Sequence, residues 1–198
     1  YFLKLSLHTK LMIAGTFVIN IVATFVIFAL EFNNAQTIGD LPMYEKIMAS
    51  YFSGVTPRTA GFNTLDYGVM EDPTLLFTMF LMFIGAGSAS TASGIKLTTF
   101  IVVILATMAF LRSRGEPEIF GRSIRLETVI RSLAITTIGL LLVVSFIFLL
   151  TVTETLPFLP LAFEVVSAFG TVGLSMGITA QLTYLGEVLL IMVMFVGL

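Results

Sequence analysis

Two segments of this chain, 112 residues apart, carry the same five-residue pattern. They are Thr59-Ala60-Gly61-Phe62-Asn63 and Thr171-Val172-Gly173-Leu174-Ser175, which both read Thr-x-Gly-apolar-(Asn/Ser). Each follows a short apolar segment that opens near a proline, Pro42 or Pro157, and each precedes a segment long enough to cross a bilayer. Irregular backbone inside a membrane is tolerated only where it is buried in protein or lines a cavity. A glycine-centred loop that re-enters the membrane twice therefore points to an ion filter built from backbone carbonyls.

Composition supports a membrane setting. Of 198 residues, 57% are hydrophobic and 11% charged, against roughly 25% charged in soluble domains. There is no cysteine, so disulfides and thiolate metal sites are excluded. The single histidine, His8, excludes a zinc site built on several histidines. Lys4, His8 and Lys10 precede the first apolar segment, and Arg112, Arg114, Arg122, Arg125 and Arg131 lie in the central polar stretch. The stretches around the two motifs are acidic by contrast, with Glu31, Asp40, Asp66, Glu154 and Glu187 among them. Cytoplasmic loops collect Lys and Arg, so the N-terminus and residues 112–131 are expected inside and the motif loops outside. The outer acids would concentrate cations at a pore mouth. A multi-pass protein of the cytoplasmic membrane follows, with the lipid bilayer as its surroundings and no nucleic-acid partner. The chain opens on Tyr1 and closes within an apolar run, which predicts part of a longer polypeptide.

Read for periodicity and breakers, the chain is all-α. Residues 11–30 form a first span, with Asn20 and Thr24 one turn apart on one face. Residues 42–54 form a helix about 20 Å long at helical rise, too short for about 30 Å of hydrocarbon and suited to re-entry. Residues 73–111 carry one charge, Lys96, and as one helix would reach about 58 Å. They are interrupted by Gly85-Ala86-Gly87-Ser88-Ala89-Ser90-Thr91-Ala92-Ser93-Gly94, so two half-helices, 73–84 and 95–111, flank an unwound intramembrane segment. A span over 127–151, a short helix over 157–169 and a further span from Tyr184 repeat the first half in the same orientation.

The filter reading rests on elementary chemistry. A cation that sheds its water shell needs oxygens in exchange. A row of carbonyls can face one way only where a residue tolerates positive φ, which glycine does at little cost. The short helix before each loop aims the partial negative charge of its C-terminus at the same place. The plain alternative for either motif alone is an external turn. For residues 85–94 the functional reading is a gate below the filter, and the structural one is close packing of small residues. A lysine at membrane depth is costly and normally functional or paired, so Lys96 is assigned to the gate, with snorkelling to the interface as its structural alternative. Arg58, just before the first motif, is expected to brace the loop through its carbonyls or through Glu45 or Asp66. Glu164 is expected to be structural, and the arginine cluster to set topology.

With these residues in view, the chain resembles the Trk/Ktr/HKT superfamily of potassium transporters, most closely the bacterial KtrB-type membrane subunit. The matching stretches are Val55 through Thr64, Gly85 through Thr99 and Phe169 through Ser175. The resemblance implies helix–pore helix–helix units around a pseudo-fourfold ion pore. Residues 1–112 would be a third unit with filter loop and gating loop, and 113–198 a fourth. Potassium would be bound mainly by the backbone carbonyls of Thr59, Ala60, Gly61, Phe62, Thr171, Val172, Gly173 and Leu174, with sodium as a second candidate ion. Gly85 through Gly94 with Lys96 would form the gate. The resemblance also implies a homodimer resting on a cytoplasmic nucleotide-binding regulatory subunit, through which alone nucleotide would act. The rival within transport is a sodium-coupled secondary transporter with discontinuous helices. An intramembrane enzyme needs convergent acid, base or nucleophile, and Lys96 has no such partner in sequence.

Overall fold

The computed structural model describes residues 6–85, 87, 94–112, 118–119 and 122–197. Among them seven α-helices follow in order: α1 (Leu7–Glu31), α2 (Met43–Val55), α3 (Asp72–Phe83), α4 (Leu97–Leu111), α5 (Leu126–Thr153), α6 (Phe158–Phe169) and α7 (Tyr184–Gly197). The order long helix, short helix, loop, helix occurs twice, as the proline and glycine punctuation predicts. Pro42 and Pro157 stand at the N-caps of α2 and α6, where a missing N–H costs nothing. Ser6 caps α1, its Oγ accepting from the Thr9 N–H at 3.2 Å.

Among the described residues, only α1 and α5 are long and apolar enough to span a bilayer alone, and just 17% of each apolar window is buried. An apolar helix that keeps its side chains outward is not the core helix of a soluble protein. Phe17, Phe25, Leu141 and Phe148 on these helices are all exposed, as lipid-facing residues would be. The core gathers instead around α6. Every residue from Leu161 to Phe169 is buried, enclosed by α3, α5 and α7. Its counterpart α2 packs on α1 and leaves Tyr44, Ile47 and Tyr51 exposed.

One carboxylate at the end of each of the two long helices, Glu31 on α1 and Glu154 after α5, ties it to the start of α3 or α7. Glu31, fully buried at the end of α1, accepts from the N–H of Glu71, the N-cap of α3, at 3.0 Å. Asn34 and Thr37 donate to the same carboxylate at 2.8 and 2.7 Å. Glu154, at the end of α5, accepts from the N–H and hydroxyl of Thr183, just before α7, at 3.2 and 2.5 Å. In both halves the last residue of the long helix, or the one after it, accepts from the N–H just before α3 or α7, which supplies an acceptor for an otherwise orphan donor. Nothing in the sequence marked these two acids out from their acidic neighbours.

Two details depart from expectation. Between α4 and α5 a small antiparallel pair appears, β1 (Glu118–Ile119) with β2 (Arg122–Ser123), in the register Glu118↔Ser123 and Ile119↔Arg122. Two-residue strands are too short to leave a period in sequence. Single 3-10 turns also follow each motif loop, at Tyr67–Val69 and Thr179–Gln181. Burial of Tyr67 against Phe163, with ring centroids 5.5 Å apart, pushes its phenol pKa well above the usual value.

Candidate functional site

The two motif loops begin where α2 and α6 end. Thr56 caps α2, and its carbonyl accepts the N–H groups of Ala60 at 3.1 Å and Gly61 at 3.4 Å. In the second loop the carbonyls of Ala168 and Ser167 accept from Thr171 at 3.0 Å and Val172 at 2.9 Å. Both loops are thus folded back onto the C-terminal turn of their short helix.

The backbone signature then repeats residue for residue. Thr59 and Gly61 both have φ of +73°, while Thr171 has +47° and Gly173 +89°. Ala60 and Val172, between them, stay in the ordinary negative-φ region. In extended backbone successive carbonyls point to opposite sides; alternating the sign of φ turns them toward one side. A non-glycine residue at positive φ costs on the order of 1–3 kcal/mol and persists only where its surroundings over-determine it. Thr59 and Thr171 are the described non-glycine residues that adopt it, and they occupy the same place in both motifs. The Thr56 hydroxyl adds a further tie, donating to the Phe62 carbonyl at 2.5 Å.

The loops face one another. A Cβ placed on Gly61 would lie 2.2 Å from the Val172 carbonyl oxygen, and one on Gly173 would lie 3.9 Å from Gly61 Cα. Beyond them opens a cavity of about 570 Å³ lined by Asn63, Thr64, Asp66 and Gly177 together with Gly173 and Ser175. Asp66 is held there by accepting the Gly68 N–H at 2.8 Å. The two loops differ in their backing: Val172 and Leu174 are 4% and 3% exposed, whereas Phe62 is 73% exposed.

Behind the loops, the polar side chains are paired otherwise than expected. Arg58 donates through Nη2 to Asn20 Oδ1 of α1. This corrects the expectation of Glu45, Asp66 or loop carbonyls as its partners. Asn20 faces α2 and was visible as a polar residue inside an apolar span. Glu164, on α6, accepts from Ser175 and from Thr179 at 3.1 Å, so the carboxylate braces the second loop.

Below the loops, α3 stops at Phe83 and α4 starts at Leu97. Ile84 and Ile95 form a parallel bridge, with the Ile95 N–H donating to the Phe83 carbonyl at 3.1 Å. Both isoleucines are buried, at 0% and 3% exposure. The chain therefore leaves one half-helix and begins the next at a single neck. Gly94 there has φ of +80°. The neck sits under the second motif loop: a Cβ on Gly170 would be 2.8 Å from the Met82 carbonyl, and Phe83 stacks on Phe169 at 5.8 Å. Of the predicted gate, Gly85, Gly87, Gly94 and Lys96 are described, while Ala86 and residues 88–93 lie outside the described residues. Gly87 approaches the Met12 side chain of α1. Lys96 is exposed at the N-cap of α4.

Two short helices that end in loops of matching backbone, with a broken helix beside them, define the class: an all-α fold with apolar, outward-facing long helices, as in membrane proteins. Comparison with known proteins gives the particular family. The family described as TrkH, cation transport protein, matches residues 1–198. Over 196 residues the chain is 54% identical to Ktr system potassium uptake protein B of Bacillus subtilis, covering 99% of this chain and 44% of that protein. It is 39% identical to potassium/sodium uptake protein NtpJ of Enterococcus hirae, covering 98% of this chain and 44% of that protein. The crystal structure of the potassium transporter TrkH from Vibrio parahaemolyticus superposes with a TM-score of 0.77 at 19% identity, over 93% of this chain and 41% of that one. The chain belongs to the TrkH cation transport protein family. It is a transporter family, not an enzyme family, and the chain spans less than half the length of these relatives.

Proposed function

We propose that this chain contributes half of a potassium-uptake pore in the cytoplasmic membrane. Residues 1–112 and 113–198 serve as two successive helix–pore helix–helix units. The carbonyls of Thr59, Ala60, Gly61 and Phe62 and of Thr171, Val172, Gly173 and Leu174 line the filter, and residues 85–96 gate it from below. The observation that carries this reading is the shared alternation of φ sign at Thr59/Gly61 and Thr171/Gly173 on loops that meet face to face. Such a backbone offers carbonyl oxygens in a fixed row, in place of hydration water. The half-charge at the end of each short helix adds attraction for a cation.

Arg58 supports the filter by tethering its loop to α1 through Asn20. The neck at Ile84–Ile95 supports the gate assignment, because it holds the facing ends of the two half-helices together beneath the second loop. A homodimer and a cytoplasmic nucleotide-binding regulatory subunit complete the assembly, in line with the Ktr system named for the relatives. Sodium-coupled transport through the same broken helix is the second reading, and a relative named for potassium and sodium uptake favours it.

The test is rubidium-86 uptake into liposomes carrying the complete polypeptide, competed with potassium or sodium. Potassium competing far better than sodium, with the preference lost in Gly173→Asp, supports the filter. Uptake that stops when the sodium gradient is dissipated assigns the chain to the coupled transporter instead.

A further inference from the structure

A cleft of about 370 Å³ opens where the first turns of α1, α4 and α5 meet. It lies at the opposite end of α1 from Glu31, on the side of the arginine-rich stretch. Its rim carries Arg125, the N-cap of α5, His8 of α1, and the hydroxyls of Thr99, Ser123 and Thr128. Among the described residues no acidic side chain lines it; Glu127, two residues from Arg125, stays outside. Its floor is apolar and buried, formed by Leu11, Val102 and Ile124.

One guanidinium, an imidazole and several hydroxyls, with no carboxylate among the described lining residues, form a donor set for an anionic oxygen cluster. Arginine pairs with phosphate through two parallel N–H donors. The apolar floor distinguishes this cleft from a site for a small soluble anion. A ligand with a phosphate at one end and hydrocarbon at the other satisfies both surfaces at once. Basic pockets between membrane helices on the cytoplasmic side suit anionic headgroups.

We propose that this cleft seats the phosphate of an anionic phospholipid from the inner leaflet, with its acyl chains lying along α1, α4 and α5. Bound there, the lipid would bridge α4, which leads from the broken segment, to α5 of the second unit.

The experiment is native mass spectrometry of the complete polypeptide in detergent, titrated with phosphatidylglycerol or phosphatidylcholine. Phosphatidylglycerol is expected to bind well above phosphatidylcholine. Arg125→Gln should weaken phosphatidylglycerol binding about fivefold, as expected for one basic side chain at an anionic headgroup, with phosphatidylcholine unchanged. Arg125 is exposed, so the substitution leaves packing intact. Arg131→Gln, exposed but outside the cleft, should keep wild-type binding. Equal binding of the two lipids, or equal losses in the two variants, overturns the proposal in favour of diffuse surface charge. Displacement of phosphatidylglycerol by millimolar inorganic phosphate overturns the lipid assignment and makes the cleft a free-phosphate site.

Discussion

The Val172 carbonyl oxygen stands 2.2 Å from where a Cβ on Gly61 would be. The first loop therefore has glycine at this point for two reasons: positive φ and the approach of a neighbouring carbonyl. Gly61→Ala meets both obstacles, whereas Gly173→Ala meets strain and only an ordinary contact at 3.9 Å. Gly177, with φ of +84° and nothing within 4 Å, isolates the strain alone. The expected order of damage to potassium-over-sodium preference is Gly61→Ala, then Gly173→Ala, with Gly177→Ala close to wild type. Competition assays on the three variants check it. A Gly177→Ala variant as impaired as Gly61→Ala would mean that general loop strain, not the loop-to-loop approach, governs selectivity.

Arg58 and Asn20 should behave as one unit. Asn20→Ala leaves a half-buried guanidinium without its side-chain acceptor, and Arg58→Ala frees the first loop from α1. Each single change should reduce flux, and the double variant should be little worse than Arg58→Ala. Residues that share one contact show interaction energies of about 0.5–3 kcal/mol in such cycles. Strictly additive losses would show that the contact does not tether the loop.

Glu31 and Glu154 govern stability more than permeation. Truncating either removes the acceptor of several part-buried hydrogen bonds, each worth about 0.5–1.5 kcal/mol net. Glu154→Ala and Glu31→Ala should each lower the thermal midpoint in detergent while leaving ion preference unchanged. An altered preference would place these carboxylates in the permeation path.

Because Ile84 and Ile95 already touch, residues between them can be shortened without pulling α3 and α4 apart. Deletion of residues 86–93 should raise rubidium flux severalfold. Unchanged flux would reduce the segment to packing.

Legibility in the sequence followed the strength of the local signal. The short helices were readable because Pro42 and Pro157 mark their starts and glycine-rich loops their ends. The break in residues 73–111 was readable because no bilayer needs a helix of that length. The motif glycines were readable because repetition made a weak pattern specific, and left-handed φ falls on both. What escaped was set by tertiary approach. Arg58 could reach several acceptors in sequence, and only the packing of α2 on α1 selects Asn20. The paired caps of Glu31 and Glu154 depend on distant helix starts meeting helix ends. The pairing of Glu118–Ile119 with Arg122–Ser123 is too short to register as a pattern.

The central claim is that the carbonyls of residues 59–62 and 171–174 hold the transported ion. Anomalous diffraction from crystals of the complete polypeptide grown in rubidium tests it directly. A rubidium peak between the two loops, at coordinating distance from the carbonyls of Gly61 and Val172, is the predicted result. A protein that transports rubidium yet shows its ion elsewhere, with no peak between the loops, would contradict the account.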